Sequence, residues 1–353
     1  MIINVLWDWL SFTIKHGRYT DPELVIADVL RMDPAMFQRI KGSCGYAQRL
    51  YFDGISVHYS GRADMGIWVN LSGQGCRCFE SFSAYGWDEL REKLHAIDAE
   101  VLEGLPSPDA VKRKAINITR CDLACDMIAG CMPDGTEVPD LVDCPFIRVS
   151  DLENKIRNYE WKGCFHRTRN CCAFEWSGAA EDEREGYCAW FGSPSSAVRL
   201  RIYDKAAERG VPKDCPCLWT RMEYQLRDEH AATCWNGVNL KTGLYVPIKD
   251  RFFGIMRRYL SFVEPTRAKR RDCPVCDWWE AFVGAGEQFG LFVSPGVDYN
   301  ISRVRHYVAE QAGNAFDCLV DVFGMEKTLD FIRKREARPN PKYEIIRKKY
   351  VEP

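Results

Sequence analysis

Hydrophobic and polar residues recur along the chain in two periods, and the switches between them outline the elements. The opening Val5-Leu6-Trp7-Asp8-Trp9-Leu10-Ser11-Phe12-Thr13 is aromatic and β-prone, as in a buried strand. Residues 22–40 carry Leu24, Val29, Leu30 and Phe37 behind Pro22 and predict a helix. Alternation then takes over at Ile55-Val57-Tyr59 and Ile67-Val69-Leu71. It resumes after a Ser72–Gly75 turn as Cys76-Cys78-Glu80, predicting strands over 51–80. Trp87, Leu90, Leu94, Ile97 and Val101 form one helical stripe over 87–102. Residues 115–127 return to strand, and Ser150-Asp151-Leu152-Glu153 has the form of a capping box. Further strands are predicted at 172–176, 187–191, 198–204 and 219–227, and helices at 278–289 and 302–334. Short connections between mixed elements give an α+β class. The charged 264–271 stretch suggests a linker over 261–277, between a core at 1–260 and a helical region at 278–353.

Composition narrows the class. At 353 residues with 46% hydrophobic content the chain can bury a large core, and a net charge of −2 argues against a uniformly basic nucleic-acid binder. Basic charge is local instead, at 199–205, 267–271 and 333–349. No apolar run reaches membrane-helix length, and the N-terminus lacks the basic region of a signal peptide. Seventeen scattered cysteines, an odd count, indicate reduced thiols and a cytoplasmic setting.

The period of two places the candidate chemistry. Arg120, Asp122 and Asp126 share one strand face; Arg221, Glu223 and Gln225 share another; Glu80 ends a third predicted strand. Gathered carboxylates repel one another unless a cation intervenes, and oxygen ligands suit Mg²⁺ or Mn²⁺. Salt-bridged acids on a solvated face are the simpler reading of the spacing alone. Arg199, Arg201, Tyr203 and Lys205 align on a fourth strand, where flanking cations would stabilise a phenolate. The preceding Phe191-Gly192-Ser193-Pro194-Ser195-Ser196 turn could hold a phosphate. No His-x-His pair occurs, and no histidine is assigned to metal. Cys273-x-x-Cys276 with Cys215 and Cys217 has incomplete zinc spacing. Trp68, Trp161, Trp176, Trp235, Trp278 and Trp279 are stacking candidates that core packing explains equally well.

Taken in order, six segments resemble the Rep_trans family of rolling-circle replication initiators and conjugative-element relaxases. They are Asp8–Phe12, Ser72–Glu80, Thr119–Asp126, Phe191–Ser196, Arg201–Lys205 and Trp219–Glu223. The resemblance covers residues 8–226 and fades after about residue 265. It implies a central antiparallel sheet of a rolling-circle nickase core, flanked by helices, with a basic-tailed helical extension. It also implies sequence-specific strand nicking and rejoining through a 5′-phosphotyrosine. Tyr203 would be the nucleophile, with Arg201 and Lys205 assisting. Glu80, Asp122 and Glu223 would bind the metal, Asp126 being an alternative ligand. Ser193, Ser196, Arg199, Trp190, Arg120 and Arg221 would contact DNA.

The implied partners are origin DNA, single-stranded or as an extruded hairpin, and a host helicase. With one evident tyrosine, a second cleavage needs a second subunit or a water. Trp190 stands where members often have a tyrosine. Many conjugative-element members carry a helix-turn-helix ahead of the first strand, and this sequence opens at that strand. The expectation therefore leans to replication initiation of a plasmid, phage or mobile element. A relaxase acting at a transfer origin is the alternative, and a non-catalytic DNA-binding regulator of the same fold is the second.

Overall fold

A computed structural model describes residues 2–103, 115–138, 147–163, 165, 172–177, 186–238, 244–285, 308 and 313–334. Its strands are β1 (Ile2–Ile14), β2 (Gln38–Lys41), β3 (Gln48–Phe52), β4 (Ile55–Tyr59), β5 (Ile67–Leu71) and β6 (Ile116–Ala129). They continue with β7 (Trp161–Lys162), β8 (Cys172–Ser177), β9 (Gly186–Phe191), β10 (Val198–Asp204), β11 (Leu218–Arg227) and β12 (Ser261–Phe262). Ten of them make one sheet in the order β2-β3-β4-β5-β1-β6-β11-β10-β9-β8, antiparallel throughout. The α+β class with a large antiparallel sheet is therefore present.

Alternation gives this sheet two unlike faces. Leu10 and Phe12 of β1, Cys121, Leu123 and Cys125 of β6, Leu200 and Ile202 of β10, and Met222 and Tyr224 of β11 are buried on one. They belong to one core with Trp235 and Ala231 of the helix Asp228–Asn236 and with Phe252 and Met256 of the helix Ile248–Tyr259. Burying each large apolar side chain contributes roughly 1.5–3 kcal/mol, which fixes the register and hence the side the polar set faces. The opposite face carries Arg120, Asp122 and Asp126, Arg221 and Glu223, and Arg201 and Tyr203.

Several elements differ from the sequence expectation. Residues 73–82 form a helix, not a turn and strand: Ser72 takes the N-cap and accepts a hydrogen bond from the Gly75 amide. Cys76, Cys78 and Phe79 of this helix are buried, a spacing that a helix satisfies as readily as a strand. The region 22–40 breaks into Pro22–Leu24, a π-turn at Val25–Val29, a 3-10 turn at Pro34–Met36 and strand β2. Asp21 and Asp33 each cap a proline-initiated turn, so two short starts replace one long helix. The helix Val149–Arg157 begins with Arg148 at the cap and no side-chain cap bond, so Ser150 lies inside it.

The 261–277 segment, expected as a linker, packs within this unit. Phe262 pairs with Trp161, and Phe262, Cys276 and Trp279 are buried in the same core. The expected 278–289 helix runs Asp277–Ala285 as far as the described residues go. Contacts divide the chain at Met1–Ser294 and Pro295–Pro353. In the second unit the expected single helix over 302–334 is broken: among the described residues Gly313–Phe323 and Met325–Lys334 are separated by Gly324 at φ +79°. The basic tail beyond residue 334 lies outside the described residues. No helix among the described residues is long and apolar enough to cross a membrane.

The cap of the Gly73–Phe82 helix gives a stability test. A Cβ on Gly75 would run into the Gly54 carbonyl, backbone against backbone, while Gly54 itself holds φ +91°. Gly75→Ala is expected to cost about 1–3 kcal/mol, read as a lower midpoint in urea unfolding.

Candidate active site

The polar face converges on Tyr203. β10 places Arg201 and Tyr203 opposite Glu223 and Arg221 of β11, and β11 in turn sets Arg221 opposite Asp126 of β6. The phenol Oη donates to Glu223 Oε2 at 3.2 Å and accepts from Arg201 Nη2 and Lys205 Nζ, each at 3.3 Å. Arg201 Nη2 also donates to Glu223 Oε2 at 2.7 Å. Tyr203 is only 4% exposed; burial first, and then the Glu223 charge, raise its phenol well above the ordinary value. Burial and the Arg221 charge pull the Lys205 ammonium down to about 8. A buried phenol between two cations and a carboxylate has both a proton acceptor and charge stabilisation at hand.

A residue missed in the sequence completes this centre. Asp8 sits at a register shift in β1, between Trp7 and Trp9, and pairs with Arg221 Nη1 at 2.8 Å. Burial would raise its carboxyl, but Arg221, Lys205 and Arg77 outweigh burial and hold it below the usual range. Arg221 also makes two bonds to Asp126, from Nε at 2.6 Å and Nη2 at 2.7 Å. Arg221 is thus a buried strut between two acids and not the DNA contact expected of it. Asp126, fully buried, is committed to that strut.

The metal expectation fares unevenly. Glu80 lies on the Gly73–Phe82 helix, paired with Arg77 at 2.9 Å and accepting from Trp87 Nε1 at 2.8 Å. Asp122 is paired with Arg120. Burial raises the Asp122 carboxyl to about 7; Arg120 opposes this, while Glu223 and Asp8 reinforce it. Asp122 and Glu223 are therefore oxygen donors whose charges disfavour one another, the chemistry a hard divalent cation relieves. Among the described residues no group of three or more His, Cys, Asp or Glu side chains is placed to hold a metal ion. Mg²⁺ commonly takes only one or two carboxylates together with substrate phosphate, and Asp122 and Glu223 are donors of that type, each paired with an arginine here.

The expected DNA contacts separate. Trp190 is half-buried, with the Arg199 guanidinium 4.2 Å and the Arg201 guanidinium 5.3 Å from its ring centre. In the 191–196 turn, Gly192 adopts φ +89°, Ser193 and Ser195 hydroxyls lie 3.2 Å apart, and Ser196 bonds the Val198 carbonyl. Ser196 is thus used to hold the β9–β10 hairpin. Trp161, Trp235 and Trp279 are core residues, at most 2% exposed. Trp278 packs on Phe262, and the Trp176 side chain lies outside the described residues. The two cysteine pairs stay apart: Cys215 Sγ lies 3.6 Å from Cys131 Sγ, whereas Cys273 donates to the Arg267 carbonyl.

The chain is similar to known proteins over most of its length. Residues 116–334 match the Replication initiation factor family, Rep_trans, and residues 4–88 match the Rolling Circle replication initiation protein N-terminal domain. A Bacillus subtilis (strain 168) protein assigned as a DNA relaxase, NicK, is 26% identical over 286 residues, 79% of this chain and 71% of that protein. The solved rolling circle replication initiator protein of Geobacillus stearothermophilus superposes with a TM-score of 0.62 at 26% identity. That match covers 82% of this chain and 98% of the other.

Proposed function

Because the chain belongs to the Replication initiation factor (Rep_trans) family, we propose that it nicks and rejoins one DNA strand through a 5′-phosphotyrosine at Tyr203. The observation that carries this reading is the threefold engagement of the Tyr203 hydroxyl by Arg201, Lys205 and Glu223. Tyr203 Oη attacks a backbone phosphorus, its proton passes to Glu223 Oε2, and the phosphorus–O3′ bond breaks, the departing O3′ taking a proton from solvent to leave a free 3′-hydroxyl. Arg201 and Lys205 offset the negative charge that grows on the phosphoryl oxygens and the phenolate. Attack by a 3′-hydroxyl on the phosphotyrosine runs the same steps backwards and seals the strand.

Asp122 and Glu223 would hold Mg²⁺ or Mn²⁺, with Asp8 nearby; Glu80, held by Arg77 and Trp87, would act on the site through its charge beside Asp8. Bound there, the ion would polarise the scissile phosphoryl group. Arg199 and Trp190 would steady the flanking strand, with Ser193 and Arg120 at its margins. A helicase partner and a second subunit for the closing cleavage belong to the same proposal. Replication initiation of a plasmid, phage or mobile element is the biological role proposed. The likeness to the relaxase-assigned Bacillus protein favours transfer-origin nicking as the second reading.

Incubating the purified chain with single-stranded origin oligonucleotides and Mg²⁺ or Mn²⁺ tests the proposal. A covalent protein–DNA band that EDTA suppresses is expected, and no band with any candidate origin would reject it. The same assay has a pH signature. Lys205 is an ammonium below about 8 and loses its proton above it. Adduct formation should therefore decline as pH rises through about 8. Lys205→Arg, charged throughout, should remove that decline, and an unchanged profile in this variant would assign the limb elsewhere.

A further inference from the structure

The polar face of the sheet does not end at the acids. Beyond Asp122 the register sets Trp9 opposite Asp122, Ser11 opposite both Arg120 and Asn70, and Trp68 opposite Thr13 and His58. All of these side chains therefore share the face that carries Tyr203. Trp9 and Trp68 are half-buried on it, unlike the sealed core tryptophans. Their orientations are fixed from within: Trp9 Nε1 donates to Asn70 Oδ1 at 2.9 Å, and Trp68 Nε1 donates to Ser11 Oγ at 2.7 Å. Arg120 sits 4.0 Å from the Trp9 ring centre, and His58 stacks on Trp68 at 4.3 Å with a 22° tilt.

We propose that Trp9, Trp68 and Arg120 form a stacking platform for single-stranded DNA on the far side of the scissile phosphate from Trp190. The proposal rests on the nickase reading and extends its site across the sheet. Three observations favour this occupant. The charge is complementary: Arg49 and Arg120 line this part of the face, its described strand positions 9, 11, 13, 49, 56, 58, 68 and 70 include no acid, and Asp122 at its border is paired with Arg120. The platform is continuous with the candidate active site through the Arg120–Asp122 pair. Two buried polar atoms, His58 Nδ1 and Arg49 Nε, lack a hydrogen-bond partner at the same end of the face.

The spacing also suits a strand of DNA. Tyr203 on β10 and Trp9 on β1 are separated by three inter-strand steps, about 14 Å across the sheet, and the register sets Trp9 level with Arg199, four residues along the strand from Tyr203, for a separation of about 19 Å. Trp190 lies one strand to the other side of Tyr203. A single strand crossing the sheet would meet an aromatic ring and an arginine on each side of the phosphate. That pairing of stacking and cation suits single strands because every base has a π-face.

The test uses the full chain with a fluorescein-labelled dT20 and a matched abasic 20-mer, titrated by anisotropy. Trp9→Leu with Trp68→Leu keeps apolar bulk but removes both aromatic faces. It should weaken dT20 binding roughly tenfold or more and leave abasic binding within about threefold. Trp9→Phe with Trp68→Phe should restore most of the loss. A bromodeoxyuridine 20-mer crosslinked to the wild-type chain needs no variant, and should mark the peptides containing Trp9 or Trp68. Equal dT20 affinity in the leucine variant would overturn the platform, as would crosslinks confined to other segments. If the wild-type chain still forms a Tyr203 adduct on origin DNA, that failure leaves the nickase reading standing. Absence of the adduct would instead reject the nickase reading itself.

Discussion

Tyr203→Phe should form no covalent adduct, a loss on the order of 10³-fold or more, while binding single-stranded DNA within a few-fold of wild type. The substitution removes only the hydroxyl that Arg201, Lys205 and Glu223 address. Arg201 and Glu223 remain paired at 2.7 Å, so the strands stay in register and no charge is orphaned. The stability cost should be near that of one buried hydrogen bond, about 1 kcal/mol. Separation of the two readouts is what distinguishes a nucleophile from a structural tyrosine. A phenylalanine variant that still captures DNA covalently would move the chemistry to another residue. A variant that loses binding as well would make the hydroxyl part of the DNA contact.

The largest stability effect should follow from Arg221→Met. Arg221 is 2% exposed and holds Asp126 by two bonds and Asp8 by a third contact. Methionine fills much of the same space but leaves two carboxylates in a low-dielectric site without their cation. Breaking such a buried set typically costs 3–5 kcal/mol, read as a lower midpoint in denaturant unfolding. The pH dependence has a definite sign. In the wild type the Asp8 carboxyl is held below the usual range, so its contribution is present at neutral pH and is lost on acidification through its folded value. Without Arg221, the upward pull of burial on that carboxyl is opposed only by Lys205 and Arg77, so its value rises and acid should cost the variant less than the wild type. The stability gap between wild type and variant should therefore narrow from pH 7 to pH 5. A gap of unchanged size would mean that Arg221 stabilises by packing and not by charge.

Much of the sheet was legible because β6, β10 and β11 alternate cleanly in sequence. In β6, Cys121, Leu123 and Cys125 must face the core, and this alone turns Arg120, Asp122 and Asp126 to the other side. The same logic aligned Arg201 with Tyr203 and Arg221 with Glu223. Asp8 escaped because β1 lies mid-sheet and is apolar on both faces there. Val5, Leu6 and Trp7 are all buried, and the register shift beside Asp8 erases its period. A lone carboxylate inside so apolar a strand was the available signal. Glu80 was misplaced because Cys76 and Cys78 alternate like a strand, while the deciding feature, the Ser72 cap over Gly75, looks like a turn. Arg221 was misassigned for a different reason: face counting shows that an arginine is near acids, but not whether it is buried between them. The cohesion of residues 261–277 was hidden by the charges at 264–271, which the buried Val263, Cys273 and Cys276 flank.

The central claim is that the chain becomes joined to DNA at one atom, Tyr203 Oη. Trypsin should release the segment between Arg201 and Lys205 as Ile202-Tyr203-Asp204-Lys205. After reaction with origin DNA and nuclease trimming, tandem mass spectrometry should find this peptide heavier by a nucleotide phosphate, with the added mass on Tyr203. The same added mass on a different tyrosine, with Ile202–Lys205 recovered unmodified, would contradict the account.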